Sequence, residues 1–414
     1  MTDHYDALET RSADQRAADL AAALPRQVAR AQEAPAMAAL LAGVDPAAVT
    51  SREALAALPV TRKSALVEAQ AAQPPFGGFV PGGAAATDHV FQSPGPIYEP
   101  GGRGQDWWRM GRALHAAGIG KGDVVQNCFS YHLTPAGMIF ENGAAAVGAT
   151  VLPAGVGQTE LQVRAAADVG TTAYAGTPDF LKVILDKADE MGVALPKLKK
   201  AIVGGGALFP SLRQEYADRG IACLQGYATA DVGSIGYETV GPDGLVEGMM
   251  VDEGVIVEIV RPGTGDPVAD GEVGEVLVTT FNHDYPLIRF ATGDMSAVLT
   301  GASPCGRTGM RIKGWMGRAD QTAKIKGMFV RPEQVAELVA RHPEIAKARV
   351  TVTRADEKDV MAVQVESAET SDGFVAAVAE SVQAALKLRG AVEVVAPGSL
   401  PNDGKVIEDA RNYD

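Results

Sequence analysis

Between residues 106 and 230 the chain alternates short apolar runs with helix-length segments. "DVVQNCFS" precedes "TPAGMIFENGAAAVG", and "TVLPAG" precedes "TELQVRAAADVG". "TAYAGT" then precedes "PDFLKVILDKADEMG", and "KAIVGGG" precedes "PSLRQEYADRG". A strand that returns through a helix comes back parallel to its predecessor, so the alternation predicts a doubly wound parallel sheet. Ligands of such sheets sit beyond the carboxyl ends of the strands. The loops to inspect are therefore "SYHL", "AGVGQ", "AGTP", "VGGGAL" and "QGYATAD".

The texture changes on both sides. Residues 1–75 read as short Ala-rich helices punctuated by Pro25 and Pro59, with Thr50 and Glu53 as a capping box. Residues 74–105 read as a Gly/Pro-rich loop. After residue 250, "GVIVEIV" and "GEVGEVLVTTF" are strand-like. Beyond "GWMGRAD" come two alternating strands around a charged turn. A helix follows with Phe374, Val378 and Val382 spaced by four and Gly390 as its cap. The fold class expected is α/β: a large N-terminal domain with parallel α/β sheets and a β subdomain, and a small C-terminal α+β domain joined by a hinge. The boundary falls between residues 1–317 and 318–414.

Composition narrows the function. The formal net charge is −14, which argues against non-specific nucleic-acid binding. No apolar stretch is long enough for a membrane span, and the polar N-terminus lacks a signal pattern. Cys128, Cys223 and Cys305 form no metal spacing and suit a reducing compartment, so a cytoplasmic location is expected.

Five constellations carry chemistry. "VGGGALFP" follows a strand and opens a helix, presenting backbone N–H groups through Gly205, Gly206 and Ala207. It is no dinucleotide fingerprint, because Phe209 stands where a third glycine belongs. "QGYATAD" offers Gln225, Gly226, a stacking ring in Tyr227 and a hard oxygen ligand in Asp231. "YPLIRFATGDM" ends a strand on Asp294, an acceptor able to take two hydroxyls. "GRADQTAKIKG" combines Arg318 with Lys324 and Gly327. "PNDGK" places Lys405 on a glycine turn. Each alone also reads as an ordinary turn or solvated charge.

In this order the motifs resemble the adenylate-forming superfamily, and within it the phenylacetate–CoA ligase family, from about residue 88 to the end. The resemblance implies ATP, Mg2+ and coenzyme A as cofactors and a small-molecule carboxylic acid as substrate, with neither nucleic acid nor membrane as partner and a homodimer left open. It implies that Gly205, Gly206 and Ala207 line the adenine, with Tyr227 against the base and Gln225 and Gly226 in the same loop. Asp294 and Arg318 hold the ribose, Asp231 holds the metal, and Lys405 reaches the α-phosphate. Lys324 and Gly327 meet coenzyme A after the small domain turns. Tyr131, His132 and Gly155 are the candidates for the acyl pocket. The opening loop departs from the family. Where the family carries S-S-G-T-T-G-K-P, this chain has "QSPGPIYEP", which retains Ser93 and Gly95 but neither the threonines nor the lysine. Asp231 is likewise shorter than the family's usual glutamate. The expected reaction is acyl-adenylate formation followed by transfer to coenzyme A. Two alternatives stand beside it: a nucleotide-binding protein without ligase activity, and an adenylating enzyme that passes the acyl group to an amine or carrier protein.

Overall fold

The structure, a computed structural model, describes residues 4–411 except 94, 95, 207, 320–322, 326, 327, 356, 357, 402 and 404. It divides into two compact units. One comprises Met1–Val257, Val278–Phe290 and Leu299–Gly314; the other comprises Glu258–Leu277, Ala291–Val298 and Trp315–Asp414. The second unit also takes residues 258–277 and 291–298, because Val273, Met295, Ala297 and Ala319 bury one another in a shared cluster.

The larger unit is built on a mixed sheet. Val124–Asn127, Thr150–Pro153, Ala173–Gly176, Lys200–Val203 and Ala222–Thr229 run parallel. The sheet then turns antiparallel through Gly233–Tyr237, Met249–Val251 and Arg311–Ile312. The parallel strands are short apolar runs because helices cover both faces. Helix Pro178–Glu190 shows why the crossovers form. Proline occupies its first turn, and Leu181, Ile184, Leu185 and Ala188 repeat along one buried face. Each such side chain contributes about 1.5–3 kcal/mol by leaving water. Helix Thr159–Val169 ends on Gly170 at φ +72°, where a glycine stops a helix at little cost.

The N-terminal segment corrects two expectations. Pro25 does not break the chain but lies within helix Ala13–Ala31, whose Leu24, Gln27, Val28 and Ala31 are buried. The next cap is Ser51, not Thr50, its hydroxyl accepting from the Ala54 amide at 3.2 Å. Ahead of these helices, Glu9 is buried and accepts hydrogen bonds from Arg307 Nε at 2.8 Å and the Tyr5 amide at 2.7 Å, and from the Tyr237 hydroxyl. Burial alone would raise its carboxyl, but these donors together hold it below its ordinary value.

In the smaller unit, strands Lys347–Ala355 and Lys358–Glu366 form an antiparallel hairpin with Ile407–Asp409 and Ala391–Val395 parallel at its edges. Val350, Val352, Val363 and Val365 pack against helices Pro332–Ala340 and Asp372–Leu386 through Val335, Leu338, Val378 and Val382. The second helix is capped by Lys387 at φ +57° rather than by Gly390.

Candidate active site

The parallel strands bring most of the expected residues to one end of the large unit's sheet. Gly204, Gly205 and Gly206 follow Lys200–Val203, and Gly205 sits at φ +68°. A Cβ on Gly204 would lie 3.1 Å from the Gly226 carbonyl oxygen, so bare backbone lets neighbouring strands approach here. Gln225 Nε2 donates to the Gly206 carbonyl at 3.1 Å and ties the glycine turn to the tyrosine-bearing strand. Tyr227 is buried, and the pairing of its strand shifts register just after it, between Tyr227 and Ala228. Asp231 occupies the turn into the antiparallel half of the sheet. Gly233, at φ +82°, makes that turn fit, since a Cβ there would meet the Trp108 carbonyl oxygen at 2.7 Å.

Asp231 is buried and paired with a lysine. Lys63 Nζ, on the first residue of helix Lys63–Ala72, donates to its Oδ2 at 2.8 Å. Its Oδ1 is buried and has no hydrogen-bond partner among the described residues. A buried, unsatisfied carboxylate oxygen suits a hard divalent cation.

The segment read as a loop at 90–104 is largely a β-hairpin. His89–Ser93 pairs with Ile97–Gly101, register Ser93 to Ile97 and Phe91 to Glu99. Gln70 holds it from helix Lys63–Ala72, its amide donating to the Tyr98 carbonyl and accepting from the Tyr98 amide, both at 2.8 Å. The Gln92 amide donates to the Leu133 carbonyl at 2.9 Å. Glu99 is fully buried. Its Oε1 accepts a short hydrogen bond from the Ser93 hydroxyl, and its Oε2 has no hydrogen-bond partner among the described residues. Burial, with the Asp231 charge adding to it, pushes this carboxyl up to about 8.

Around the next loops, Asn127 Nδ2 donates to the Tyr131 hydroxyl and the Gly137 carbonyl, each at 2.8 Å. Tyr131 packs on Gly137, where a Cβ would come within 2.8 Å of its ring. Burial, then the neighbouring Glu141, raises the Tyr131 phenol above its ordinary value. His132 is exposed, its amide bonded to the Ser130 hydroxyl at 3.2 Å. Gly155, at φ +64°, donates its amide to the Asn127 carbonyl at 3.0 Å. This turn is held by Gln162, whose Nε2 donates to the carbonyls of Gly155 at 2.9 Å and Gly157 at 2.7 Å. Its Oε1 accepts from Gln126 Nε2 at 3.0 Å and Cys128 Sγ at 3.2 Å.

In the smaller unit, Asp294 and Arg318 come together. Arg318 Nη1 donates to Asp294 Oδ1 at 2.9 Å, and Trp315 Nε1 donates to the same oxygen at 3.1 Å. The strand is zipped to residues 316–319 by three backbone bonds, from Met295 to Gly317, Met316 to Met295 and Ala319 to Gly293. Lys405 is exposed, with Nζ 3.4 Å from Glu408 Oε1, and borders a cleft of about 350 Å³ with Arg261, Lys347 and Glu366. Lys324 lies on strand Ala323–Ile325, its side chain outside the described residues. Gly95, Ala207 and Gly327 also lie outside them.

Lys63, Glu99 and Gln162 were not among the residues expected from the sequence. Gln162 alone carried a signal, since it shares a helix face with buried Ala166. Among the described residues no helix is long and apolar enough to cross a membrane.

Residues 130–282 match the AMP-binding enzyme family, and residues 327–410 match the AMP-binding enzyme C-terminal domain. A phenylacetate–coenzyme A ligase of Aromatoleum evansii is 30% identical over 344 residues, 78% of this chain and 74% of that protein. Another, from Thermus thermophilus, is 29% identical over 341 residues, 79% of this chain and 75% of that protein. A 2-hydroxyisobutyryl-CoA ligase solved in the postadenylation state with 2-HIB-AMP superposes with a TM-score of 0.70 at 25% identity, covering 97% of this chain and 91% of that one. The same enzyme with 2-HIB-AMP and CoA in the thioesterification state gives 0.69, also at 25% identity, over 98% and 92%. With the glycine turn, the Tyr227–Asp231 loop and the Asp294–Arg318 pair in place, these matches establish that the chain belongs to the phenylacetate–coenzyme A ligase family of AMP-binding enzymes, ATP-dependent acid–CoA ligases that work through an acyl-adenylate.

Proposed function

We propose that the chain joins a small carboxylic acid to the α-phosphate of ATP, releases pyrophosphate, and passes the acyl group to coenzyme A. The observation that carries this reading is the tie between Gln225 and Gly206. It sets a glycine turn beside the buried Tyr227 at the carboxyl end of the sheet, four residues before the metal-type acid Asp231. Gly205 and Gly206 border the base, Tyr227 packs against it, and the Asp294–Arg318 pair takes the ribose hydroxyls. Asp231 would hold Mg2+, which would supply charge neutralisation at the phosphates. Lys405 neutralises charge at the α-phosphate in the first half-reaction. The polypeptide around residue 318 then acts as a hinge between a body of residues 1–317 and a tail of 318–414, bringing Lys324 and Gly327 to coenzyme A. Tyr131, His132 and Gly155 line the acid's end of the site. The unpaired cysteines fit a cytoplasmic enzyme.

Pyrophosphate release with a panel of acids that includes phenylacetate and 2-hydroxyisobutyrate tests the activity. A thioester formed with free coenzyme A separates the ligase from a carrier- or amine-dependent enzyme. Lys405→Ala should lower adenylate formation about 100-fold or more while sparing thioester formation from preformed acyl-adenylate. Equal loss of both steps removes the role assigned to Lys405.

A further inference from the structure

We propose that Asn127 is a positioning residue for the acid-binding end of the site: its side chain fixes Tyr131 and its carbonyl fixes the Gly155 turn, so both loops are set from one buried point at the end of a strand. The proposal rests on the reading of Tyr131 and Gly155 as residues that line the acid. It starts from an anomaly of composition. Strand Val124–Asn127 lies between Thr150–Pro153 and Ala173–Gly176, parallel to both. An interior strand of this kind is normally apolar throughout. This one ends in Gln126 and Asn127, which are 0% and 1% exposed, and Asn127 is paired in register with Pro153 and Ala175. Burying a side-chain amide is unfavourable unless its donors and its acceptor find partners.

The partners of Asn127 lie in the loops beyond the strand. Its Nδ2 donates to the Tyr131 hydroxyl and to the Gly137 carbonyl, both at 2.8 Å, and its Oδ1 accepts from the Phe129 amide at 3.2 Å. A carbonyl only accepts and a backbone N–H only donates. The orientation of the Asn127 amide is therefore fixed, and the Tyr131 oxygen receives its second N–H. The Asn127 carbonyl accepts from the Ala154 and Gly155 amides, each at 3.0 Å. One residue thus ties segment 129–137 to the turn at 154–157. Asn127 is buried, Tyr131 half-buried and His132 exposed, so the anchor sits in the sheet and the groups it holds reach outward. The Tyr131 ring is confined as well, since a Cβ on Gly137 would lie 2.8 Å from it. A contact group locked by a second, buried side chain on a strand keeps its geometry better than one carried by a loop alone. The glycine turn is tied separately, by Gln225 to Gly206. Loss of the Asn127 donors should therefore be felt by the acid and not by the nucleotide.

Steady-state pyrophosphate release by the full-length chain tests this. The acid is whichever member of a panel containing phenylacetate and 2-hydroxyisobutyrate the wild type turns over best. Asn127→Leu, close in volume but without donors, should raise KM for the acid about fivefold or more and leave KM for ATP within about twofold. Tyr131→Phe keeps the ring and removes the acceptor, and should raise KM for the acid about threefold or more. The double variant should match Asn127→Leu within about twofold, because both changes break one interaction. Far-UV circular dichroism checks folding. If Asn127→Leu does not fold, Asn127→Asp takes its place, since it keeps the acceptor for Phe129 and loses the donors. Unchanged KM for the acid in a folded Asn127 variant or in Tyr131→Phe overturns the proposal. So do equal rises for acid and ATP, and single effects that multiply in the double variant. A wild type that releases pyrophosphate with none of the acids removes the proposed function and this inference together, whereas an active wild type beside an indifferent Asn127 variant removes the inference alone.

Discussion

Two segments border the site, and the buried polar side chains within reach of each differ in chemistry. The turn at 154–157 is tied by Gln162, whereas the hairpin at 89–101, tied from helix Lys63–Ala72 by Gln70, encloses Glu99. Gln162 is neutral, and both ends of its amide are used: two strong donations to backbone carbonyls, and acceptance from Gln126 and Cys128. Glu99 can ionise, and one of its carboxyl oxygens has no hydrogen-bond partner among the described residues. The contrast separates two ways a protein can shape a loop. A satisfied amide gives rigidity that is indifferent to pH and ions. A half-satisfied carboxyl gives a segment whose energy depends on what else is bound.

The largest effect should come from the amide. Gln162→Leu conserves much of the volume but leaves the Gly155 and Gly157 carbonyls and the Gln126 amide without this partner. It should cost about 2–4 kcal/mol in urea unfolding. A loss under about 0.5 kcal/mol would mean that the turn is held by its own backbone, and the contrast would fail. The carboxyl should show itself through pH instead. In the fold its titration lies near 8, raised from 4.5, among Asp231, Lys63 and Tyr285. The folded state therefore keeps a proton that the unfolded chain releases. Stability is unaffected below about pH 4.5 and falls as pH rises towards 8. Glu99→Gln removes this slope. In chelator-treated buffer it should be more stable than the wild type at pH 8, by on the order of 1–3 kcal/mol, and indistinguishable at pH 4. Thermal melts across pH measure the difference, and parallel curves would show that Glu99 is charged in both states.

Ser93→Ala sharpens the same point. It removes a hydroxyl that favours the ionised Glu99, so the pH window should move upward, with a loss of about 1 kcal/mol. The smallest effect is expected at Gly157→Ala. Its φ is +77° and a Cβ would meet nothing within 4 Å, so only backbone strain remains, roughly 0.5–1 kcal/mol. A larger loss would show that the turn depends on more than Gln162.

The parallel half of the sheet was legible because each crossover repeats the same physics: an apolar strand, then an amphipathic helix such as Pro178–Glu190. Among the residues picked out by fixed-order motifs, Asp294 and Arg318 do form an ion pair. The hairpin was not. Pro94, Pro96 and Pro100 hide its strands, and its second strand buries nearly every residue instead of alternating. A lone glutamate in such a segment reads as solvated, and Lys63 reads as an ordinary helix start, until folding brings Lys63 onto Asp231. The interleaved units were hidden for a related reason. Val273 and Met295 are distant from Ala319 in sequence, and only their common burial joins them.

Glu9 carries a practical lesson for anyone shortening this enzyme. A purification tag placed ahead of Tyr5 leaves the acid where it is, whereas starting the polypeptide at Arg11 deprives Arg307 and Tyr237 of their shared carboxylate. That guanidinium is 5% exposed, and removing the counter-charge from such a place typically costs about 3–5 kcal/mol. A trimmed clone that precipitates would therefore be reporting a damaged interior, not a missing activity.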